Sequence, residues 1–300
     1  MKDLKLALDW TPNANHTGFF VAKEKGFYSE KNIYLWIIDP ESDNYKTTPA
    51  KKVELGLADF ALCPTESLIS YQTKAISFPL VGISCIFKKD LSAISVLKSS
   101  GIKSPKDLDH KTYASYQARY EDGIVKAMVM NDGGEGALKI SYPDKLGIWD
   151  RLVDGDADAT WIFVNWEAIQ AQTEGIELEN FKLDDYNIPY SYSPVIAADG
   201  NKINQNKSII KDFLEATKKG FYYSKQNPQE AAEILSRHVP DNDKNIDLEK
   251  AIKLSSEALG DEYDWGQIDI SKVEVFLDWL KDQGLERSNL IANDLVVNID

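Results

Sequence analysis

Short apolar, β-branched runs alternate with helix-like runs through the first two hundred residues of this 300-residue chain, and the alternation starts afresh near residue 90. Residues 4–8, 33–38, 58–63 and 78–86 read as strands, with helix patterns at 17–25, 47–56 and 64–74 between them. Gly26 stands where a helix ends. After residue 90, strands at 93–97, 112–115 and 159–163 alternate with a Pro-led helix start at 104–108 and helices at 119–130, 145–152 and 166–173. Repeated strand–helix order of this kind is economical only as a mostly parallel sheet covered by helices, and here it occurs twice. Residues 194–198 read as a last strand. Everything beyond it is helical in spacing, at 208–223, 229–235, 248–259 and 273–281. A helical tail that packs back on the first unit makes the chain cross between units twice. The expectation is an α/β protein of two lobes: 1–90 plus 197–300 as a discontinuous lobe 1, 91–196 as lobe 2, crossings near 88–93 and 192–198, and a cleft lined by both.

Charge and composition exclude several partners. Net charge is −14 and no basic run occurs, which argues against nucleic acid and anionic membrane surfaces. No stretch is long and apolar enough to span a bilayer, so no membrane insertion is expected. The start, Met1-Lys2-Asp3-Leu4, enters strand-like sequence at once, without a signal peptide's apolar core. An extracytoplasmic location therefore requires that a leader was removed, and a native start at Met1 implies a cytoplasmic one. Two cysteines, Cys63 and Cys85, support neither a disulfide framework nor a cysteine zinc site. Glycine-rich dinucleotide and phosphate loops are absent. The run Asp154-Gly155-Asp156-Ala157-Asp158 lacks the glycine and glutamate that a calcium loop needs at its sixth and twelfth positions. His16, His110 and His238 are too scattered for a metal, so no metal or cofactor is expected.

Two strand-to-helix junctions carry chemistry. The first is Leu8-Asp9-Trp10-Thr11-Pro12-Asn13-Ala14-Asn15-His16-Thr17, where Trp10 offers a stacking plate and Asn13, Asn15 and His16 offer hydrogen-bonding groups beside helix N–H donors. An ordinary connection with a buried Trp and a capping Asn explains the same residues. The second is Trp161-Ile162-Phe163-Val164-Asn165-Trp166-Glu167, which repeats the arrangement in the other unit. Two aromatic strand ends facing one cleft can sandwich a flat ring, with Glu167 accepting from an amino group. Glu167 reads equally as a first-turn carboxylate facing the helix dipole. Tyr116, Tyr120, Tyr190 and Tyr192 add aromatic surface near the crossings, as packing or as contacts.

The first junction, continued by Ala22-Lys23-Glu24-Lys25-Gly26-Phe27-Tyr28, closely resembles the opening of the family that contains periplasmic binding proteins for thiamine pyrimidine precursors and fungal-type hydroxymethylpyrimidine phosphate synthases. Further matches are Gly56-Leu57-Ala58-Asp59-Phe60, Ser104-Pro105-Lys106-Asp107-Leu108, Asp158-Ala159 before Trp161, and Asn227-Pro228 before Glu230-Ala231-Ala232. The resemblance implies a type II periplasmic-binding-protein fold. It also implies that the synthase type donates a histidine of its own, carries a pyridoxal-phosphate lysine just before it, and needs a cysteine-rich iron motif. At those places this chain has Ser67, Cys63 and Pro189-Tyr190-Ser191-Tyr192-Ser193, so that chemistry is not expected here. By position, the resemblance assigns Trp10, Tyr116, Trp161 and Glu167 to the ring, with Asn13, Asn15 and His16 on the first-lobe side; Tyr190 joins the expected ligand-binding set as aromatic surface near the second crossing. One departure is the bulk of Ala114-Ser115-Tyr116-Gln117-Ala118-Arg119-Tyr120, where the binders carry glycine. Arg119 there is either a plain surface residue or a group that extends the pocket toward an anion.

The expected function is binding of an aminopyrimidine thiamine precursor, of hydroxymethylpyrimidine or formylaminopyrimidine type, with delivery to an ABC permease and no catalysis. Two other readings stay open: a cytoplasmic thiamine-pyrimidine enzyme or sensor without the His, Lys and Cys-cluster chemistry, and a binder of another small organic molecule such as a sulfonate or a riboflavin-like ring.

Overall fold

A computed structural model of the chain describes residues 1–299. Ten strands form two five-stranded sheets. The first has the order β2 (Ile33–Ile38), β1 (Lys2–Ala7), β3 (Phe60–Cys63), β10 (Val195–Asp199), β4 (Leu80–Cys85). The second has the order β7 (Lys139–Ser141), β6 (Thr112–Ala114), β8 (Ala159–Phe163), β5 (Ser92–Leu97), β9 (Leu178–Phe181). Burial follows the residues. In β1, Leu4 and Leu6 are covered while Lys5 is exposed. β3 is buried throughout, as a central apolar strand should be, and β4, at the sheet edge, is buried because the C-terminal segment covers it, with the Val297 N–H donating to the Gly82 carbonyl at 2.9 Å.

Both sheets are mixed rather than simply parallel. In each, four strands run one way and one runs against its neighbours. That one is β10 in the first sheet and β5 in the second, the strand entered directly after a crossing between sheets. The chain changes sheets between Cys85 and Ser92 and returns between Phe181 and Val195. Two strands have no counterpart in the sequence reading, β7 and β9. Both are sheet edges, three and four residues long, with Lys139, Glu179 and Asn180 among their members, so they carry no apolar run. The Pro-led segment expected as a helix start is a single 3-10 turn, Pro105–Leu108, closed on itself by the Ser104 N–H donating to the Asp107 carboxylate at 3.2 Å.

The helical tail packs against the first sheet, and it also reaches the second lobe. Helix Ile203–Gln226 lies on helix Thr17–Glu24, where Gly18 and Gly220 bring the two backbones together. Helix Ile270–Asp282 buries Phe276 against Tyr190 of the second crossing, with ring centroids 5.3 Å apart. Beyond it, Leu285 covers Gly123 of helix Glu121–Asn131. The buried Glu286 accepts from the Tyr120 hydroxyl and from Arg119. Cys63 and Cys85 are both free and buried. Val195 pairs with each from opposite sides, so two strand spacings, roughly 9–10 Å, separate them and forbid a disulfide. Among the described residues no helix is long and apolar enough to cross a membrane.

Candidate functional site

A cavity of about 180 Å³ opens where the two sheets face each other, lined by residues of both lobes. Its first wall is the junction after β1. Asn13 accepts the Asn15 N–H on its side-chain oxygen at 2.9 Å and donates to the Thr11 carbonyl at 3.1 Å, which folds the segment into a tight turn ahead of helix Thr17–Glu24. That turn leaves Trp10 and Asp9 on the cavity and carries Asn13 and Asn15 to its edge.

His16 does not line the cavity, contrary to the sequence expectation. It is fully buried behind the wall. Its Nδ1 accepts the Asn13 N–H at 3.2 Å and its Nε2 lies 2.8 Å from the Asp9 carboxylate. With Nδ1 an acceptor, the proton belongs on Nε2 and is donated to Asp9. His16 is thus the brace that aims Asp9.

The second wall is the junction after β8. Glu167 folds back over the strand end, accepting the Phe163 N–H at 2.8 Å, and Trp161 faces the cavity. The third wall is the loop before helix Glu121–Asn131. Glu121 accepts the Tyr113 hydroxyl at 2.7 Å and the N–H groups of Tyr116 and Ala118 at 3.0 and 3.1 Å. This holds Tyr116 over the cavity although Gln117 sits at a left-handed φ of 61°. Aromatic rings then meet in two groups. Trp10 has Tyr116 of the other lobe edge-on at 5.9 Å and Tyr45 at 5.5 Å, and Trp161 has Tyr190 at 5.2 Å. The lobes are bridged by the buried Asn165, whose side-chain amide donates to Asn15 at 2.6 Å and to Ser255 at 2.8 Å.

Seven of the eight expected site residues therefore line one cavity: Trp10, Asn13, Asn15, Tyr116, Trp161, Glu167 and Tyr190. Sequence reasoning missed Asp9, Glu66, Glu121 and Trp166. Glu66 had a usable signal, because it stands in the first turn of a helix directly after an all-apolar strand, the position Glu167 holds after β8.

Four carboxyl groups line the cavity and no lysine, arginine or histidine does. Arg119 does not supply a cation, since its guanidinium is engaged by Glu286 and Thr73 outside the lining. Burial pushes Glu66 up to about 7. Glu167, half-buried on the cavity wall, is likewise pushed up to about 7 by the protein packed around it. The arrangement suits an electron-poor or protonated ring that stacks on indoles and donates N–H groups, and it repels anions.

These two groups make stability depend on pH. An unfolded glutamate titrates near 4.5, so between about pH 4.5 and 7 the folded apo-protein holds more protons than the unfolded chain. The resulting stability is complete below 4.5 and is lost as pH rises to and through 7. Glu66 contributes on the order of 1–3 kcal/mol and the more open Glu167 less. Urea midpoints measured between pH 5 and 8 are expected to fall, and a midpoint that climbs with pH overturns the assignment.

Comparison with known proteins decides the family. Residues 13–231 match the family model described as NMT1/THI5 like, which is well over half of the chain. The chain belongs to the NMT1/THI5-like family. It is similar to a putative thiamine biosynthesis protein of Haemophilus influenzae, 26% identical over 299 residues that span 99% of this chain and 92% of that protein. It is also similar to the formylaminopyrimidine-binding protein of Halalkalibacterium halodurans, 25% identical over 236 residues, 78% of this chain and 70% of that one. The crystal structure of the periplasmic aliphatic sulphonate binding protein SsuA from Escherichia coli superposes with a TM-score of 0.73 at 13% identity, covering 100% of this chain and 93% of that one. The fold of this NMT1/THI5-like chain is accordingly that of type II periplasmic binding proteins, with two mixed α/β sheets.

Proposed function

We propose that this protein binds an unphosphorylated aminopyrimidine of the thiamine-precursor type, of hydroxymethylpyrimidine or formylaminopyrimidine kind, and hands it to an ABC permease without making or breaking a bond. The observation that carries the reading is the cavity itself, with indoles and phenols from both lobes around four carboxyl groups and no cation. An aminopyrimidine is flat, stacks well, and carries an amine and a basic ring nitrogen for carboxyl partners. A sulfonate or phosphate meets carboxyl groups and no cation in this lining, which argues against the other-ligand reading in its anionic form. The two relatives' names, thiamine biosynthesis and formylaminopyrimidine binding, are consistent with the proposal. The synthase reading is disfavoured on side-chain chemistry, because Cys63 and Ser67 offer neither an amine for a Schiff base nor an imidazole to donate. Delivery to a membrane permease requires an extracytoplasmic site of action.

The test is a calorimetric titration of the purified chain with hydroxymethylpyrimidine, its formylamino analogue, hydroxymethylpyrimidine phosphate and an alkylsulfonate. A dissociation constant near micromolar corresponds to about 8 kcal/mol, within reach of stacking plus charge-assisted hydrogen bonds. Micromolar binding of an unphosphorylated pyrimidine, with the phosphate at least tenfold weaker, is the expected result. Tighter binding of the phosphate or the sulfonate sinks the proposal.

A further inference from the structure

Glu66 reaches the cavity from the first lobe, and recognition of an aminopyrimidine by Glu167 alone leaves it without a task. It sits in the first turn of helix Thr65–Thr73, immediately after β3, and is 4% exposed. One oxygen, Oε1, accepts the Tyr190 hydroxyl at 2.6 Å. The other, Oε2, is buried with no hydrogen-bond partner among the described residues; the Tyr120 backbone N–H is turned toward the carboxyl without closing a hydrogen bond to it. An acceptor shielded from water and left without a donor is unfavourable, and a buried polar atom of this kind calls for an explanation, which a donor on a ligand in the cavity supplies. The titratable groups that face Glu66 are Tyr190 from the second crossing and Glu121 and Tyr120 from the second lobe, none of them a cation. Glu167 mirrors it from the other side of the cavity, again in a first helical turn after a strand. Each lobe therefore presents one carboxyl group to the same space.

We propose that Glu66 is a second ligand-recognising carboxyl of this pocket, its Oε2 taking a proton donor of the bound ring from the first lobe while Glu167 takes one from the second, so that the pocket selects flat heterocycles with N–H donors on opposite edges. The proposal rests on the aminopyrimidine reading and sharpens it. In a 4-aminopyrimidine the exocyclic amine and the ring nitrogen across from it lie on opposite edges. The amine donates to one carboxylate, and a single proton held between the ring nitrogen and the other carboxyl completes the pair, whichever of the two atoms carries it. Both carboxyls are pushed up to about 7, so one of them retains that proton near neutrality.

The test uses the full chain and two ligand deletions, each removing one edge. In one, a dimethylated exocyclic nitrogen replaces the amine, and in the other a CH group replaces the ring nitrogen across from it. Both deletions are expected to weaken binding to the wild-type protein at least tenfold, because a site built around N–H donors leaves an acceptor unmet when a donor is missing. Glu66→Gln, checked for folding by its melting temperature, is expected to weaken the parent aminopyrimidine tenfold or more and to lose sensitivity to one of the two deletions. Wild-type sensitivity to a single edge, or wild-type affinity in a folded Glu66→Gln, overturns the proposal and returns Glu66 to a packing partner of Tyr190. The edge test needs only the wild-type chain, so it decides even if the variant fails to fold. Should the wild type ignore aminopyrimidines yet bind another two-edge donor such as a diamino heterocycle, with the same loss in Glu66→Gln, the functional reading fails and the two-carboxyl clamp stands. Should aminopyrimidine bind while Glu66→Gln behaves as wild type, the reverse holds. No binding of either class removes both.

Discussion

Gly220→Ala is expected to destabilise the protein by about 2–4 kcal/mol, a large loss for one added methyl group. Helix Ile203–Gln226 crosses helix Thr17–Glu24 at this glycine. A Cβ at Gly220 would stand 2.0 Å from the Gly18 carbonyl oxygen and 2.7 Å from the Ala22 Cβ. Those neighbours are backbone and a methyl group, neither of which can rotate away. The helices must separate, and separation pulls apart the Tyr28–Thr217 hydrogen bond of 2.8 Å and the Phe19–Phe221 ring contact at 5.3 Å. The intrinsic helix preference for alanine returns only about 1 kcal/mol. Because helix Thr17–Glu24 continues directly from the turn that aims Trp10 and Asp9, ligand affinity should drop alongside stability. Gly147→Ala is the control: no heavy atom lies within 4 Å of the place its Cβ would take and its φ is −101°, so a change within about 0.5 kcal/mol is expected there. Urea unfolding of both variants checks the pair, and a Gly220→Ala loss under about 1 kcal/mol would show that the helix crossing is looser than these distances imply.

The sequence made the two-lobe layout legible wherever apolar runs mark buried strands. Residues 33–38 and 159–163 are strands at those same bounds. Direction is a different matter. Nothing in the side-chain pattern of Val195–Asp199 says that it runs against β3 and β4, because alternation and burial are the same either way. Edge strands β7 and β9 were silent because they are only three and four residues long and carry Lys139, Glu179 and Asn180, whereas β2 and β4, edges of the other sheet, announce themselves by six-residue apolar runs. At the site, aromatic and amide residues clustered at strand ends pointed to the two junctions that line the cavity. Histidine chemistry misled for His16, since one 3-10 turn, Ala14–His16, suffices to swing the ring from the cavity to the back of Asp9. The contact of Leu285 and Glu286 with the second lobe has no local signature at all, being a property of where the tail ends up.

Glu167→Gln should separate ligand affinity from stability and move them in opposite directions. The neutral amide keeps the shape of the side chain and can still accept the Phe163 N–H, which lies 2.8 Å from the wild-type carboxylate. What it loses is the charge, and a hydrogen bond to a charged partner is worth about 1.5–3 kcal/mol, so aminopyrimidine affinity is expected to fall roughly 10- to 100-fold. In the empty protein the same change is beneficial. Above pH 7 the wild-type carboxylate is ionised in a place that disfavours the charge, as its shift up to about 7 records. Removing the charge therefore raises the urea midpoint of the apo-protein at pH 8, while at pH 5, where wild-type Glu167 is already protonated, the two proteins should unfold together. A site kept for binding at the expense of apo stability shows this crossed pattern. A carboxylate kept for its bond to the strand end at Phe163 and for the dipole of its helix shows the opposite: Glu167→Gln would then be less stable at pH 8 and would bind the pyrimidine as the wild type does. Calorimetric titration and urea unfolding on one preparation of each protein, at both pH values, distinguish the two.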